Sequence, residues 1–292
     1  MKVIITIPAY NEEKNIGNVI DEIKLIMDGT DYSYKVQVID DGSKDKTIEI
    51  AKRHGAIVYS NKRNLGLAET FQKEIEYCLK SNADVIIHTD ADGQYDPKYI
   101  PELIKKVEEG YDLVLGSRFN GKVVRMPFLK RLGNKAFAKT ISSLVGVKIT
   151  DSTTGFRAFT REVASEIRFI NTFTYTQEQI IRAAKQKFKI IEIPIETRKT
   201  RDSRLFKSPL EYALKAWINI FRIYRDFDPL KFFGLIGLIF FLIGFSIGLW
   251  FIYLHFTSGI QGHLGLMILT ILSILMGIQI VLFGFFADMN KK

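Results

Sequence analysis

Residues 85–94 read Val-Ile-Ile-His-Thr-Asp-Ala-Asp-Gly-Gln, and this segment is the most informative part of the sequence for the fold class. Its first five residues form a short run that predicts a buried β-strand. Asp90 and Asp92 then follow at the carboxyl end of the strand, which is where open α/β sheets bind their ligands. One or two carboxylates together with substrate phosphates are the usual ligands of Mg²⁺ in proteins. The stretch therefore predicts a site for a divalent cation and a diphosphate, although an isolated Asp-x-Asp is more often a polar turn.

Similar apolar runs lie on both sides of this strand and alternate with helical patterns. The predicted strands are residues 3–7, 36–39, 57–59, 85–89 and 113–116, and the helices between them include residues 46–54, 65–80 and 97–109. Strands that alternate with helices, each strand being a continuous apolar run, indicate a parallel sheet covered on both faces. The sequence therefore predicts an α/β domain with a mostly parallel, Rossmann-like sheet.

Polar side chains follow directly after four of the predicted strands. They are Tyr10, Asn11, Glu12, Asp40, Asp41, Asp90, Asp92 and Arg118. In a parallel sheet these strand ends meet at one edge. Turn formation is the simpler explanation for Gly42, Asn64 and Gly66. It does not explain Arg118 or Glu12, so we expect a ligand site at this edge.

The net charge of +9 favours an anionic partner: nucleic acid, a phosphorylated substrate or a membrane surface. Zinc-ligand spacings and recognised nucleic-acid-binding motifs are absent from the sequence, which argues against nucleic acid. The single cysteine, Cys78, excludes an internal disulfide, and its helical pattern predicts a small buried hydrophobe.

The last quarter of the chain differs from the rest in containing two long apolar segments. Residues 232–254 and 264–287 contain no Lys, Arg, Asp or Glu. Helices of this length reach about 35 Å, enough to cross a hydrocarbon core of about 30 Å. Basic residues flank the outer ends of the pair, and the connector at 255–263 has no Lys or Arg. We therefore expect a multi-pass membrane protein with both termini in the cytoplasm. Because the chain begins with a predicted strand rather than a signal peptide, the soluble domain is expected to be cytoplasmic too.

Two further segments suit a membrane surface. Residues 127–146 form an amphipathic pattern with Arg131, Lys135 and Lys139 on one face. Residues 208–211, Ser-Pro-Leu-Glu, have the form of a capping box that opens a juxtamembrane helix. The predicted division is thus a cytosolic domain at 1–207, a juxtamembrane helix at 208–231 and a membrane hairpin at 232–287.

Five motifs, taken together, resemble the inverting family-2 glycosyltransferases with the A-type fold, and within them the polyprenyl-phosphate branch. The motifs are Ile7-Pro-Ala-Tyr-Asn-Glu12, Val38-Ile-Asp-Asp-Gly-Ser43, Asp90-Ala-Asp-Gly-Gln94, Gly116-Ser-Arg118 and Asp151-Ser-Thr-Thr-Gly-Phe-Arg157. The resemblance covers about residues 1–230, and the C-terminal hairpin also fits this branch.

The resemblance implies roles for individual residues. The residues implied to hold the base and ribose are Pro8, Tyr10, Glu12 and Asp41. Those implied to hold the metal and the diphosphate are Asp90, Asp92 and Gln94, with Asp90 also counted as nucleotide-binding. Arg198 and Arg204 match the basic, nucleotide-binding positions of the family's active-site loop, and the lipid phosphate is assigned to Arg118, Arg131 and Lys135. Within this set Asp92, Arg118 and Arg198 are the implied catalytic residues. The family's usual Ser-Lys appears here as Ser203-Arg204, which keeps the charge but changes its geometry.

The implied reaction transfers a hexose from GDP-mannose or a UDP-sugar to polyprenyl or dolichyl phosphate, with inversion and with Mg²⁺ or Mn²⁺. A phosphate acceptor is mostly a dianion at pH 7 and needs no general base.

A second hypothesis gives the same donor site a sugar-hydroxyl acceptor, which needs a base. Glu178 could be that base, but it lies in a helical pattern and is more simply a surface residue. A third hypothesis is a basic non-enzymatic binding protein, supported by charge alone. The sequence is also compatible with a homo-oligomer.

Overall fold

The structure is a computed structural model of the chain that describes residues 1–119, 128–166, 175–198, 218, 221–222, 225–258 and 263–290, with the side chains of 128–131 excepted. The chain divides into two compact units, Met1–Leu214 and Lys215–Lys292.

A seven-stranded sheet forms the centre of the first unit. Its strands are β1 Lys2–Ala9, β2 Ser33–Asp40, β3 Ile57–Ser60, β4 Val85–His88, β5 Leu113–Ser117, β6 Arg157–Thr160 and β7 Ile190–Pro194. Their order across the sheet is β3-β2-β1-β4-β6-β5-β7. All neighbouring pairs are parallel except the two that involve β6. Because only β6 is reversed, the carboxyl ends of the other six strands lie at the same edge.

The helices of the first unit follow the strands in the expected alternation. They are α1 Ile16–Asp28, α2 Thr47–Arg53, α3 Leu67–Lys80, α4 Ile100–Glu108, α5 Phe128–Val145, α6 Arg161–Glu166 and α7 Tyr175–Lys185, with a short 3₁₀ turn at Pro97–Tyr99 before α4. The predicted α/β class, the mostly parallel sheet and the five predicted strands are confirmed.

The burial of the central strands on both faces explains why their sequences do not alternate between apolar and polar residues. From Val3 to Ala9 every residue of β1 is buried, as is every residue of β4. A strand with both faces covered by helices carries apolar side chains on both, which gives a continuous run. On α1 the residues Ile16, Ile20, Ile23 and Met27 are all buried, which is the 3.6-residue spacing of a helix packed on one face.

Strand β6 is a feature that the sequence pattern did not predict. It lies between β4 and β5 and runs antiparallel to both, with Arg157 paired to His88 and to Leu115. Its first residue therefore lies at the edge where β4 and β5 end. This register brings the preceding segment, residues 150–156, to the predicted ligand-binding edge.

The second unit contains two long apolar helices, α8 Pro229–Ser258 and α9 Leu264–Met289. Both are long and apolar enough to cross a membrane. They pack closely through glycines: a Cβ added at Gly237 would lie 2.6 Å from the carbonyl oxygen of Gly277. Small residues that allow backbones to approach are typical of helix pairs in lipid. The predicted two-helix hairpin is confirmed as a helix pair, with each helix a few residues longer than expected.

Candidate active site

Backbone N–H groups after β1 donate hydrogen bonds to side-chain hydroxyls in the segment after β2. The Asn11 N–H donates to Ser43 Oγ at 2.9 Å, and the Glu12 N–H donates to Thr47 Oγ1 at 2.8 Å. Asn11 has a φ of 54°, a conformation that asparagine tolerates better than most residues. These bonds fix the direction of the chain after β1. Tyr10 is left 38% exposed, whereas Pro8 and Glu12 are buried.

Asp40 and Asp41 both organise the loops that follow β2. Asp40 accepts the N–H groups of Gly42 and Ser43 at 3.1 Å. Asp41 accepts Leu65 N–H and Gly66 N–H at 2.9 Å, so it holds the loop before α3 against the end of β2. The turn role that the sequence suggested for this region is therefore present. Asp41 lies at the predicted edge, and its proposed contact with a nucleotide base stays a prediction.

Asp90 and Asp92 lie just beyond β4, at the sheet position where the chain order reverses between β1 and β4. Asp92 Oδ1 accepts the Gln94 N–H at 2.9 Å, which forms the tight turn of the motif. Within the described residues no hydrogen bond is donated to the Asp90 carboxylate. Its oxygens are therefore free for a ligand.

Burial raises the pKa of Asp90 to about 6; the neighbouring carboxylate of Asp92 adds to the rise, whereas His88 and Arg118 oppose it. Two carboxylates in such an environment are a suitable pair for a hard divalent cation. The described residues contain no group of three or more His, Cys, Asp or Glu that could hold a metal unaided. The donor set of Asp90, Asp92 and the Gln94 amide thus fits a cation that completes its shell with phosphate oxygens and water.

Arg118 follows β5 and is held by a buried carboxylate. Its Nε and Nη2 donate to Asp151 at 2.6 and 2.8 Å, and Nη2 also donates to Thr153 Oγ1 at 2.8 Å. Burial opposes the charge, but Tyr95, Asp151 and Asp90 outweigh it and raise the pKa of Arg118, which remains a cation. Such bidentate pairs fix a guanidinium in a defined plane. The role of Asp151 could not be predicted from the sequence, because 33 residues separate it from Arg118.

Arg198 joins the same edge through both its backbone and its side chain. Its N–H donates to the Gln94 carbonyl oxygen at 2.9 Å. The guanidinium pairs with Glu22 at 2.6 Å and with Asp96 at 3.3 Å. The hydrogen bond to Glu22 is the main cause of its raised pKa. Arg198 therefore lies beside the motif at residues 90–94, but its guanidinium is paired with two partly exposed carboxylates.

The remaining predicted positions differ in what the structure describes. Lys135 and Lys139 are exposed on α5, while Phe137 and Ile141 are buried. The membrane-surface role of residues 127–146 stays a prediction. The side chain of Arg131 lies outside the described residues, as do Arg204 and the capping box at 208–211.

The expectation for Glu178 is wrong. The side chain is 1% exposed rather than on the surface, and it pairs with Arg182 at 2.8 Å. The whole first part of α7, from Tyr175 to Ile181, is buried despite its polar composition. Polar partners explain this burial: Arg157 Nη1, itself fully buried, donates to Gln179 Oε1 at 2.8 Å. The apolar pattern alone could not show that these polar residues satisfy one another.

The architecture and the motifs at the sheet edge define an A-type glycosyltransferase domain, and comparison with known proteins agrees. Residues 4–168 match the model of the glycosyl transferase family 2, so the chain belongs to that family.

Two relatives are similar to the chain over most of its length. A dolichyl-phosphate hexose transferase of Haloferax volcanii is 36% identical over 193 residues, covering 65% of this chain and 80% of the relative. A UDP-N-acetylglucosamine–dolichyl-phosphate N-acetylglucosaminyltransferase of Methanococcus voltae is 30% identical over 256 residues, covering 78% and 96%. The resemblance to the polyprenyl-phosphate branch is thereby confirmed.

A solved structure gives the same result for the fold. Glucosyl-3-phosphoglycerate synthase from Mycobacterium tuberculosis, in complex with Mn²⁺ and UDP-glucose, superposes with a TM-score of 0.60 at 21% identity. The match covers 76% of this chain and 78% of that one.

Proposed function

We propose that the protein transfers a hexose from a nucleotide sugar to a polyprenyl or dolichyl phosphate, inverting the anomeric centre. The observation that supports this most directly is the arrangement of charge at one sheet edge. A carboxylate pair suited to a cation follows β4, and Arg118, a cation held by Asp151, follows β5. The names of the two dolichyl-phosphate relatives favour the same acceptor class.

The donor side of the proposed reaction uses Asp90, Asp92 and Gln94. These residues would hold Mg²⁺ or Mn²⁺ together with the diphosphate of the nucleotide sugar. When bound, the metal stabilises the negative charge that grows on the departing nucleoside diphosphate. Pro8, Tyr10, Glu12 and Asp41, at the ends of β1 and β2, would hold the base and ribose. Arg198 would exchange its contacts with Glu22 and Asp96 for the diphosphate, and we propose that Arg204 assists it.

The acceptor side depends on cations rather than on a base. Arg118 would bind the lipid phosphate, with Arg131 and Lys135 as further proposed contacts. One phosphate oxygen forms a bond to the anomeric carbon while the bond from that carbon to the diphosphate oxygen breaks. The electron pair of the broken bond leaves with the nucleoside diphosphate. Because the acceptor is already ionised, no proton has to be removed.

The alternative with a hydroxyl acceptor receives less support from the described residues. Glu178, the base considered for it, is buried and bound to Arg182. The Asp151 carboxylate is also fully buried and already accepts two hydrogen bonds from the Arg118 side chain. Neither carboxylate is open to a substrate hydroxyl.

We further propose that α8 and α9 cross the membrane, with the soluble domain and both termini in the cytoplasm. The asymmetry of Lys and Arg residues supports this orientation: Arg222, Arg225 and Lys231 lie before or in the first turn of α8, whereas the connector at 255–263 has no Lys or Arg. Cysteine labelling tests it. A cysteine introduced at Ile260 should react with an impermeant maleimide from outside intact cells. Wild-type protein, whose Cys78 is buried, should not react.

The function is tested with full-length protein in detergent, supplied with polyprenyl phosphate, Mg²⁺ or Mn²⁺, and radiolabelled donors. GDP-mannose, UDP-glucose and UDP-N-acetylglucosamine are offered in separate reactions. Label that moves into the organic phase with one donor identifies both the reaction and the sugar. An α-linked product would contradict inversion by single displacement. Nucleotide release without a labelled lipid would contradict the proposed acceptor.

A further inference from the structure

Residues 150–155, here called the bridging loop, contact both halves of the proposed site. At one end Asp151 binds Arg118 on the acceptor side. At the other end Gly155 packs on the motif at residues 90–94, where an added Cβ would lie 3.0 Å from Asp90 Oδ1. The Gly155 N–H also donates to the hydroxyl of Tyr95 at 3.0 Å. The position of this loop therefore determines how far Arg118 lies from Asp90.

The first part of the bridging loop is anchored by Glu192 of β7. Glu192 Oε1 accepts the N–H groups of Thr150 and Asp151, both at 2.9 Å. Glu192 Oε2 accepts the Thr150 hydroxyl at 2.7 Å. That hydroxyl also lies 2.6 Å from Ser117 Oγ, next to Arg118 in the chain. The Glu192 carboxylate thus links the middle of β7 and the end of β5 to Asp151, the residue that binds Arg118.

We propose that Glu192 is a positioning residue that sets the guanidinium of Arg118 for the acceptor phosphate by fixing the backbone of Asp151. The inference rests on the proposed function for the identity of the acceptor. Its physical basis is that a bidentate pair tolerates little displacement, since both hydrogen bonds must stay short and coplanar. Transfer rates are sensitive to shifts of about 1 Å between reacting groups. Glu192 makes its contacts through the bridging loop and none of them is with Arg118.

The hydrogen-bond pattern distinguishes a geometric role from a simple loss of packing. In Glu192→Gln the amide oxygen can still accept both backbone N–H groups, while the amide nitrogen donates to Thr150 Oγ1. Because that hydroxyl can then donate to Ser117, the network survives without the charge, except that the Thr150 N–H keeps only one of its two acceptor oxygens. Glu192→Leu fills a similar volume but leaves two backbone N–H groups without their acceptor. Glutamine should therefore rescue the function and leucine should not.

The test measures kcat and KM for polyprenyl phosphate, and the affinity for the nucleotide with Mn²⁺, on full-length protein. We expect Glu192→Leu to lower kcat/KM for the acceptor about 100-fold with nucleotide affinity within about twofold, a size typical of misplacement. Glu192→Gln should stay within about threefold of wild type. Glu162→Gln, the same change at an exposed carboxylate on α6, should have no effect. Thr150→Val, a milder break of the same link, should lower only the acceptor kcat/KM, by about fivefold.

Equal losses in the glutamine and leucine variants, or a parallel loss of nucleotide affinity, would overturn the inference, as would full activity in Glu192→Leu. A measurement that does not depend on catalysis distinguishes a failure of the positioning role of Glu192 from a failure of the proposed function. The ¹⁵N resonance of Arg118 Nε–H, assigned by its absence in Arg118→Lys, should keep its position in Glu192→Gln and move in Glu192→Leu. If wild-type protein makes no labelled lipid but this shift occurs, the acceptor is wrong and the positioning role stands. An unmoved resonance in Glu192→Leu would refute the positioning role whatever the acceptor.

Discussion

Replacing Asp90 by asparagine should stabilise the metal-free protein while abolishing metal-dependent nucleotide binding. Burial raises the pKa of Asp90 to about 6 in the folded protein from an ordinary value of 3.8. Folding therefore disfavours the ionised carboxylate, and the protein is most stable, with respect to this group, at low pH. That stability is lost as the pH rises through 6. Asparagine has nearly the same shape but cannot ionise.

The size of the effect follows from the two pKa values. The cost of keeping Asp90 ionised is about 3 kcal/mol at pH 7.5 and about 1 kcal/mol at pH 4.5. Asp90 is partly open to solvent, so we reduce these figures by about half for solvent screening. At about 2–4 °C per kcal/mol, Asp90→Asn should raise the melting temperature by roughly 3–6 °C at pH 7.5 and by roughly 1–2 °C at pH 4.5.

The assay is thermal unfolding of full-length protein in detergent with EDTA, at both pH values. Asp31→Asn, the same change at an exposed carboxylate, serves as the control and should leave the melting temperature unchanged. An equal gain at both pH values would refute the reasoning, because the effect would then not come from ionisation. If the melting temperature of Asp90→Asn at pH 7.5 is equal to or below that of wild type, the folded protein does not disfavour the ionised form of Asp90.

Three other changes give distinct expected results. Gly155→Ala places a Cβ 3.0 Å from Asp90 Oδ1; displacing that oxygen should weaken Mn²⁺-dependent nucleotide binding at least tenfold, measured by calorimetry, and wild-type affinity would contradict the packing argument. Glu178→Gln removes a buried charge that pairs with Arg182; it should lower the free energy of unfolding by about 2 kcal/mol, with acceptor KM unchanged, whereas lost activity at unchanged stability would favour a catalytic base. Arg118→Lys cannot keep the bidentate pair with Asp151; lipid transfer should fall at least 100-fold while nucleotide binding persists, and equal losses of both would place Arg118 on the donor side.

The sheet could be predicted from the sequence because its strands are buried on both faces. A run such as residues 85–87 is then continuously apolar, and its end is marked by polar residues. The positions of Asp90 and Arg118 at one edge followed from this rule alone. Strand β6 escaped prediction because it begins with a buried arginine, Arg157, instead of an apolar residue. Its partner, Gln179, lies 22 residues away, so no local pattern shows the pairing.

The candidate site shows the same limit. The motifs indicated which residues lie at the carboxyl edge of the sheet, but not which of them form hydrogen bonds or ion pairs with each other. Asp151 and Glu192 become informative only when β5, β7 and the bridging loop are brought together, since 41 residues separate these two partners. The expectation that Glu178 lies on the surface was wrong for a related reason. In the sequence, Glu178 and Arg182 have the spacing of an ion pair on the exposed face of a helix, whereas the Glu178 side chain is buried. Long-range polar contacts, rather than apolar periodicity, were what the sequence could not supply.

The proposed acceptor is a phosphate and not a hydroxyl. To test this proposal, the full-length protein is offered two acceptors with the same hydrocarbon chain, polyprenyl phosphate and polyprenol, together with the donor found active in the screen. We predict that label from the sugar enters the lipid phase only with polyprenyl phosphate, and that Arg118→Lys abolishes this transfer. Equal or greater labelling of polyprenol would contradict the proposed function.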